Sequence, residues 1–294
     1  MDHRVMKEFI EEFYDIGRIQ RVEVMKQGTS SEAKCIDSSA GRYVLRKLRD
    51  ERQAVNEERL HHVLSLQNIS PAMVIARNGL SYVHLNDEIY NLQYYVEETV
   101  PYDQETMHFV EFGNMLARFH HAAHKLEIMD QQDRFALSLL WSQVRDEVRG
   151  SLSATIGSLE GHVEQCTEYI VRNDSLIHGD LGVWNMLFMK QKTLLIDFGE
   201  VRRGDPHFDV AAALTSMIPA TARANESIST IEEVMEGYAE AGGLLTREQL
   251  YEQIHLWLLR GWLAWIRERG VTSPMVQHME RGVRRVAVFK EMLL

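Results

Sequence analysis

The sequence predicts an α+β protein of two lobes: a small one built on an antiparallel sheet over residues 1–96, and a larger helical one over residues 97–294. Three observations carry that expectation. Short strand-like runs separated by turn residues crowd the first third of the chain, the pattern changes to long helical repeats after Pro101, and 294 residues suffice for two cores.

The opening "MDHRVMKEFIEEFYDIG" reads as an amphipathic helix with Val5, Phe9, Phe13 and Ile16 on one side, too charged throughout for a signal peptide. "RVEVMK", "AKCIDS" and "RYVLRKL" follow as strands, parted by "QGTSSE" and "SSAG", whose residues suit hairpin turns. "ERQAVNEERLHHVLSL" favours helix through Val55, Leu60, Val63, Leu64 and Leu66, and ends before Pro71. "AMVIAR", "LSYVHL" and "EIYNLQYYVE" return to strand character, giving an order α-β-β-β-α-β-β-β up to about residue 96. Beyond "EETVPYD" come the helices "ETMHFVEFGNMLARFHHAAHKL", "FALSLLWSQVRDEVRG" and "HVEQCTEYIVR", interrupted only by "LIHGDL", "NMLFM" and "TLLIDF". The tail is helical again, and "LTREQLYEQIHLWLLRGWLAWIRERG" begins at a threonine able to cap it.

Composition narrows the partners. Lysine plus arginine total 32 against 43 aspartates and glutamates, a net charge of -11, which offers nothing to attract nucleic acid or an anionic membrane and suits a cationic or zwitterionic small molecule. No apolar run reaches the roughly 20 residues that span a bilayer. Cys35 and Cys166 lie far apart without a CxxC pair, as in a reduced cytoplasmic protein. Nothing in these patterns specifies an oligomeric state.

The chemistry gathers in "LIHGDLGVWNMLF" and "LLIDFGE". Two strands joined by "KQKT" place Asn185 and Asp197 at neighbouring ends of one hairpin. An amide oxygen and a carboxylate converging there suit a hard divalent cation such as magnesium. Asp180 is left over, free to accept a proton from an attacking hydroxyl. A base, a metal amide and a metal carboxylate are the parts that phosphoryl transfer needs, since it asks mainly for positioning and charge neutralisation.

"HGDLGVWN" followed by "LLIDFGEVRRGDPHFDVA" closely resembles the aminoglycoside phosphotransferase and choline kinase superfamily, whose members share the protein-kinase fold. The resemblance extends through "QGTSSE", "YVLRKL", "IYNLQYYVE" and "FGNMLARFHH" to nearly the whole chain. It implies an ATP- and magnesium-dependent small-molecule kinase whose acceptor is an amino alcohol, a sugar or an aminoglycoside-like compound. Asp180 then corresponds to the catalytic aspartate, Asn185 and Asp197 to the magnesium ligands, His178 to the residue that orders the loop, and Asp209 to its brace. Gly28, Ser30 and Ser31, with Thr29, lie where the family covers the phosphates. Arg46 stands where a phosphate-binding lysine is usual, with Glu57 its partner and Glu58 the alternative, because periodicity leaves the helix phase open. Lys47, next along the strand, faces the other way. Tyr94, Tyr95, Val96 and Glu97 form the hinge whose backbone meets adenine.

Other positions carry competing readings. Trp184 and Glu200 fall in the catalytic segments, and Trp262 and Trp265 share a face of a late helix with Leu258 and Arg269. These four are the acceptor-binding candidates, tryptophans being able to enclose a quaternary ammonium, although such stripes are more often core. His120 and His121 read as packing and surface residues. The competing function is a kinase-fold protein that binds nucleotide without turnover.

Overall fold

The computed structural model describes residues 3–25, 33–170 and 172–294. The described chain is an α+β protein with an antiparallel N-terminal sheet and a helical C-terminal part. It divides into two compact units, one of residues Met1–Tyr102, Ala122–Gln131 and Trp184–Val201, the other of Asp103–His121, Gln132–Val183 and Arg202–Leu294.

In the first unit, helix α1 (His3–Phe13) precedes β1 (Ile19–Val24), β2 (Ala33–Ser38) and β3 (Gly41–Leu48). Helix α2 (Glu51–Leu66) follows, then β4 (Tyr82–Leu85) and β5 (Glu88–Tyr94). The five strands pair antiparallel in the order β1-β2-β3-β5-β4. The expected sixth strand, "AMVIAR", does not form a ladder. It contributes one isolated bridge from Met73 to Gln93, held by Val74 N–H on Leu92 O, because β4 already occupies that edge of β5. Of the expected α1 face, Phe9 and Ile16 are buried and Phe13 packs against the same cluster, together with Met6 and Ile10, but the helix ends at Phe13, so Ile16 joins the core from the connecting turn. These side chains pack with Ile36, Leu45, Val83, Tyr90 and Leu92 from one face of the sheet.

The other face of the sheet meets α2. Asp50 caps this helix by accepting the Gln53 N–H, and its buried face is mixed: Leu60 and Leu64 alternate with Gln53, Asn56, Glu57 and His61. Strands β7 (Met186–Phe188) and β8 (Thr193–Leu195) belong to the same unit as a hairpin in the register Met186↔Leu195. Leu195 N–H donates to Ile69 O and Val100 N–H to Phe188 O, which ties the hairpin to the segments after α2 and β5.

The second unit is helical around one central element. It comprises α3 (Phe109–His124) as far as His121, α4 (Leu137–Gly150), α5 (Ala154–Gly157), α6 (Leu159–Thr167), α7 (Pro206–Met217), α8 (Ala224–Glu240), α9 (Arg247–Arg269) and α10 (Ser273–Leu293), with β6 (Ser175–Ile177) paired to β9 (Arg202–Gly204). Helix α7 is buried on nearly every side, consistent with its run of small apolar residues "VAAAL". Thr246 caps α9 as the sequence predicts, and the helix stops at Gly270, whose φ of 71° favours glycine. Two glycines bring α3 and α8 into backbone contact: a Cβ on Gly113 would lie 2.1 Å from Val234 O, and one on Gly237 would lie 1.8 Å from Val110 O.

Candidate active site

The hairpin of the first unit positions Asn185 and Asp197. A single 3₁₀ turn, Val183–Asn185, leads into β7, and Ile196 N–H donates to Asn185 O at 3.0 Å, so the two candidate metal ligands flank one backbone bond. Asn185 is buried. Asp197 adopts φ 62°, ψ 69°, a left-handed conformation that aspartate tolerates better than most residues and that turns the chain abruptly out of β8.

Arg46 on β3 reaches this corner from the sheet. Its Nη1 donates to Glu57 Oε2 at 2.9 Å and its Nη2 to Asp197 Oδ1 at 2.6 Å. Glu57, not Glu58, is the helix partner: it is fully buried and accepts also from Gln53 Nε2 at 2.7 Å and Asn91 Nδ2 at 2.9 Å. Burial alone would lower the Arg46 pKa, but the two carboxylates outweigh it and hold the guanidinium above its ordinary value. Such a planar fork spans two acceptors in a way that one ammonium does not. Lys47 turns to the opposite face and pairs with Glu88.

Close backbone approach keeps the corner tight. A Cβ at Gly199 would stand 2.9 Å from Gln53 Nε2 and 3.2 Å from Asp197 Oδ1. Gly199 O accepts from Arg49 at 3.0 Å and from Gln131 at 2.6 Å, and Glu200 pairs with Arg49 at 3.0 Å. Phe198 meets His61 edge-on at 5.1 Å. The His61 ring is itself spanned: Nδ1 lies 3.1 Å from both Ser70 Oγ and Pro71 O, and Nε2 lies 3.3 Å from Gln93 Nε2. A carbonyl can only accept and an amide nitrogen can only donate, so Nδ1 carries the proton and Nε2 is the acceptor.

At the expected hinge, the Tyr94 amide donates to Ala72 O and the Tyr95 amide to Arg42 O, both at 3.0 Å. Sheet pairing uses these two amides, so the expectation that hinge amides meet adenine does not hold for Tyr94 and Tyr95. The Tyr94 ring is half exposed, and Arg42 stacks on Tyr95 at 4.1 Å while pairing with Glu97. Gly28, Thr29, Ser30 and Ser31 lie outside the described residues.

In the second unit, Asp180 sits half-buried in a tight turn closed by Gly182 N–H on Asp180 O, just after Gly179, whose φ is 81°. Asp209 on α7, fully buried, accepts from the backbone N–H of His178 at 2.6 Å and of Gly179 at 2.9 Å. His120 Nε2 adds a third donor at 3.1 Å, and its Nδ1 lies 2.8 Å from the Tyr238 hydroxyl. Burial would raise the Asp209 carboxyl, and the His120 bond and backbone amides more than reverse that, leaving its pKa below the usual value. His120 is thus a buried bracing residue that sequence reading assigned to plain packing; the only signal was its pairing with an apolar helix face. His121 is exposed, as expected. Arg202 on β9 donates to Gly179 O at 3.4 Å and pairs with Asp133, which also takes Arg260.

The tryptophans separate. Trp184 is 55% exposed. Trp265 is half-buried beside His278 and Arg269. Trp262 is 1% exposed, and a Cβ on Gly282 would collide with its ring, so the expectation of an acceptor contact there gives way to helix packing. Among the described residues no group of three or more His, Cys, Asp or Glu is placed to hold a metal. The donors that remain at the hairpin, one amide oxygen and one carboxylate, fit a hard cation that takes its other ligands from phosphates and water. No helix is long and apolar enough to cross a membrane, and both cysteines are buried and free.

Solved structures share this fold. The amicoumacin kinase hAmiN, solved with AMP-PNP, Ca2+ and Ami, superposes with a TM-score of 0.74 at 13% identity, covering 99% of this chain and 94% of that one. The microcompartment-associated aminopropanol kinase gives 0.73 at 17% identity, covering 99% and 98%. Choline kinase LicA from Streptococcus pneumoniae gives 0.67 at 15% identity, covering 97% and 98%. No curated protein matches the sequence. The phosphotransferase enzyme family matches residues 21–257, which include the Arg46–Glu57 pair, the Asp180 loop, the Asn185–Asp197 hairpin and Asp209. The chain therefore belongs to the phosphotransferase enzyme family, a family of small-molecule kinases.

Proposed function

We propose that this protein transfers the γ-phosphoryl group of ATP, with magnesium, to a hydroxyl of a small molecule of the amino alcohol, sugar or aminoglycoside-like class. The observation that carries this reading is the corner where Arg46 joins Glu57 to Asp197 at the end of the hairpin bearing Asn185. Residues 1–96 supply most of the nucleotide site, and residues 97–294 supply the loop and the acceptor surface. The names of the structural relatives, an aminopropanol kinase and a choline kinase among them, support an amine-bearing acceptor, as does the net charge of -11.

Asn185 and Asp197 would hold the metal. When bound, magnesium neutralises phosphate charge and the nucleotide supplies the phosphoryl group. Arg46 would set its positive charge against the phosphates from beside Asp197, with Glu57 fixing its direction. By the family resemblance Gly28, Ser30 and Ser31 would cover the phosphates, and the backbone of the Tyr94–Glu97 segment would receive the base. The Asp180 carboxylate takes the acceptor's hydroxyl proton as its oxygen bonds to the γ-phosphorus, and the bond to the bridging oxygen breaks to release ADP. Asp209, itself held by His120, holds the backbone of the Asp180 loop, so that the base costs little reorganisation when it acts. Trp184, Glu200 and Trp265 remain candidates for the acceptor surface.

The test is ATP consumption with magnesium against a panel of amino alcohols, sugars and aminoglycosides, with Asp180→Asn in parallel. Acceptor-dependent turnover absent from the variant is the expected result. Turnover by Asp180→Asn at the wild-type rate would remove Asp180 from its role, and nucleotide binding without any turnover would favour a non-catalytic nucleotide-binding protein.

A further inference from the structure

Helix α7 holds the Asp180 loop at a second point. Val183 N–H donates to Ser216 Oγ at 3.0 Å. The Ser216 hydroxyl has one hydrogen, which it gives to Ala213 O of its own helix at 2.8 Å, so its lone pair is turned towards Val183 rather than free to rotate. Ser216 lies seven residues after Asp209, two helical turns along the same face of α7. One helix face thus grips both ends of the loop: Asp209 takes the amides of His178 and Gly179 before Asp180, and Ser216 takes the amide of Val183 after it.

The far end of α7 is itself fixed. Arg285 on α10 donates to Thr215 O and Ile218 O, the carbonyls either side of Ser216, and its ring neighbour Phe289 is buried. Beyond Val183 the chain leaves the grip at once, with Trp184 exposed and Asn185 buried. The length of loop between the two attachments, Gly179 to Val183, is therefore set by the spacing of Asp209 and Ser216 on a rigid helix.

We propose that Ser216 is a positioning residue for phosphoryl transfer, acting through the Val183 amide to fix where the Asp180 carboxylate stands. The proposal rests on the kinase reading above, and the experiment separates the two. Magnesium-ATP hydrolysis, with water as the acceptor, is measured for wild type, Ser216→Ala, Ser216→Thr and Asp180→Asn, alongside amide hydrogen exchange resolved at Val183. Ser216→Ala is expected to lose about ten- to a hundredfold in kcat, with KM for the nucleotide within about threefold, because the loss is one of alignment. The Val183 amide should exchange about tenfold faster in that variant while the Gly179 amide stays protected. Threonine keeps an oxygen that back-bonds in a helix, so Ser216→Thr should restore both readings. A purely packing role would move stability without this kcat-only loss or the threonine rescue. Wild-type kcat in Ser216→Ala, or unchanged Val183 exchange, overturns the proposal. Undiminished hydrolysis in Asp180→Asn instead overturns the role of Asp180 on which the kinase reading rests, and the Val183 exchange rate then decides the attachment by itself.

Discussion

Two histidines, one in each unit, make the stability of this protein fall on mild acidification. Burial pushes the His61 pKa from 6.5 to about 3, with Arg46 adding to the depression. Burial and the neighbouring His162 push His255 from 6.5 to about 4. His255 is 1% exposed and is held neutral between the Tyr169 hydroxyl at 2.7 Å and His162 Nδ1 at 2.8 Å. Above pH 6.5 both imidazoles are neutral folded and unfolded, and they contribute no pH dependence. As pH falls below 6.5 the unfolded chain takes up protons that the folded one refuses, and the loss grows until about pH 4 to 3. At pH 5 each histidine costs about 2 kcal/mol, and the pair about 4 kcal/mol. Urea unfolding at pH 8 and pH 5 measures this directly. His61→Gln and His255→Gln should each be less stable at pH 8 yet lose about 2 kcal/mol less than wild type between the two pH values. If either variant keeps the wild-type pH dependence, the corresponding histidine is not buried neutral and the argument fails.

Arg46→Lys leaves Glu57 or Asp197 without its share of the fork, and chemical denaturation should report a loss of about 1–3 kcal/mol. Asp209→Asn replaces an acceptor of three bonds with one that can receive at a single oxygen. Turnover should fall with it, and the same denaturation assay should show about 2–4 kcal/mol lost, since a buried amide or the His120 N–H is left unpaired. Two glycines should behave oppositely in thermal melts. Gly237→Ala forces a methyl into Val110 O and should cost about 3 kcal/mol, whereas Gly261→Ala on the open side of α9 should stabilise by about 0.5–1 kcal/mol.

Much of the fold was legible because local rules and tertiary context agree. Helix α2 runs over the stretch that periodicity marked, and Thr246 starts α9 where its side chain can cap. "AMVIAR" read as a strand because its residues favour one, but an edge already taken by β4 left it a single bridge, and no propensity scale contains that competition. At the site, "HGDLGVWN" and "IDFG" stand out because polar residues interrupt apolar strands. The supporting residues did not. Gln53, His61, Asn91 and His120 lie on faces that look like ordinary amphipathic packing, and their partners are up to 118 residues away. Trp262 and Trp184 show the same limit from the other side: both are tryptophans in suggestive places, and only burial tells them apart.

The glycine contact between α3 and α8 works as a gauge for the distant loop. Gly113 sits seven residues before His120 on α3, and Gly237 sits beside Tyr238 on α8. The closeness of those two backbones sets how far the tyrosine hydroxyl stands from the imidazole, and so how firmly the imidazole presses on Asp209. A methyl group added at either glycine would reach the Asp180 loop through a chain of hydrogen bonds without touching it. Substitutions that retune the acceptor surface must therefore be sought on faces that carry no part of this gauge, and α3 and α8 are poor places to look.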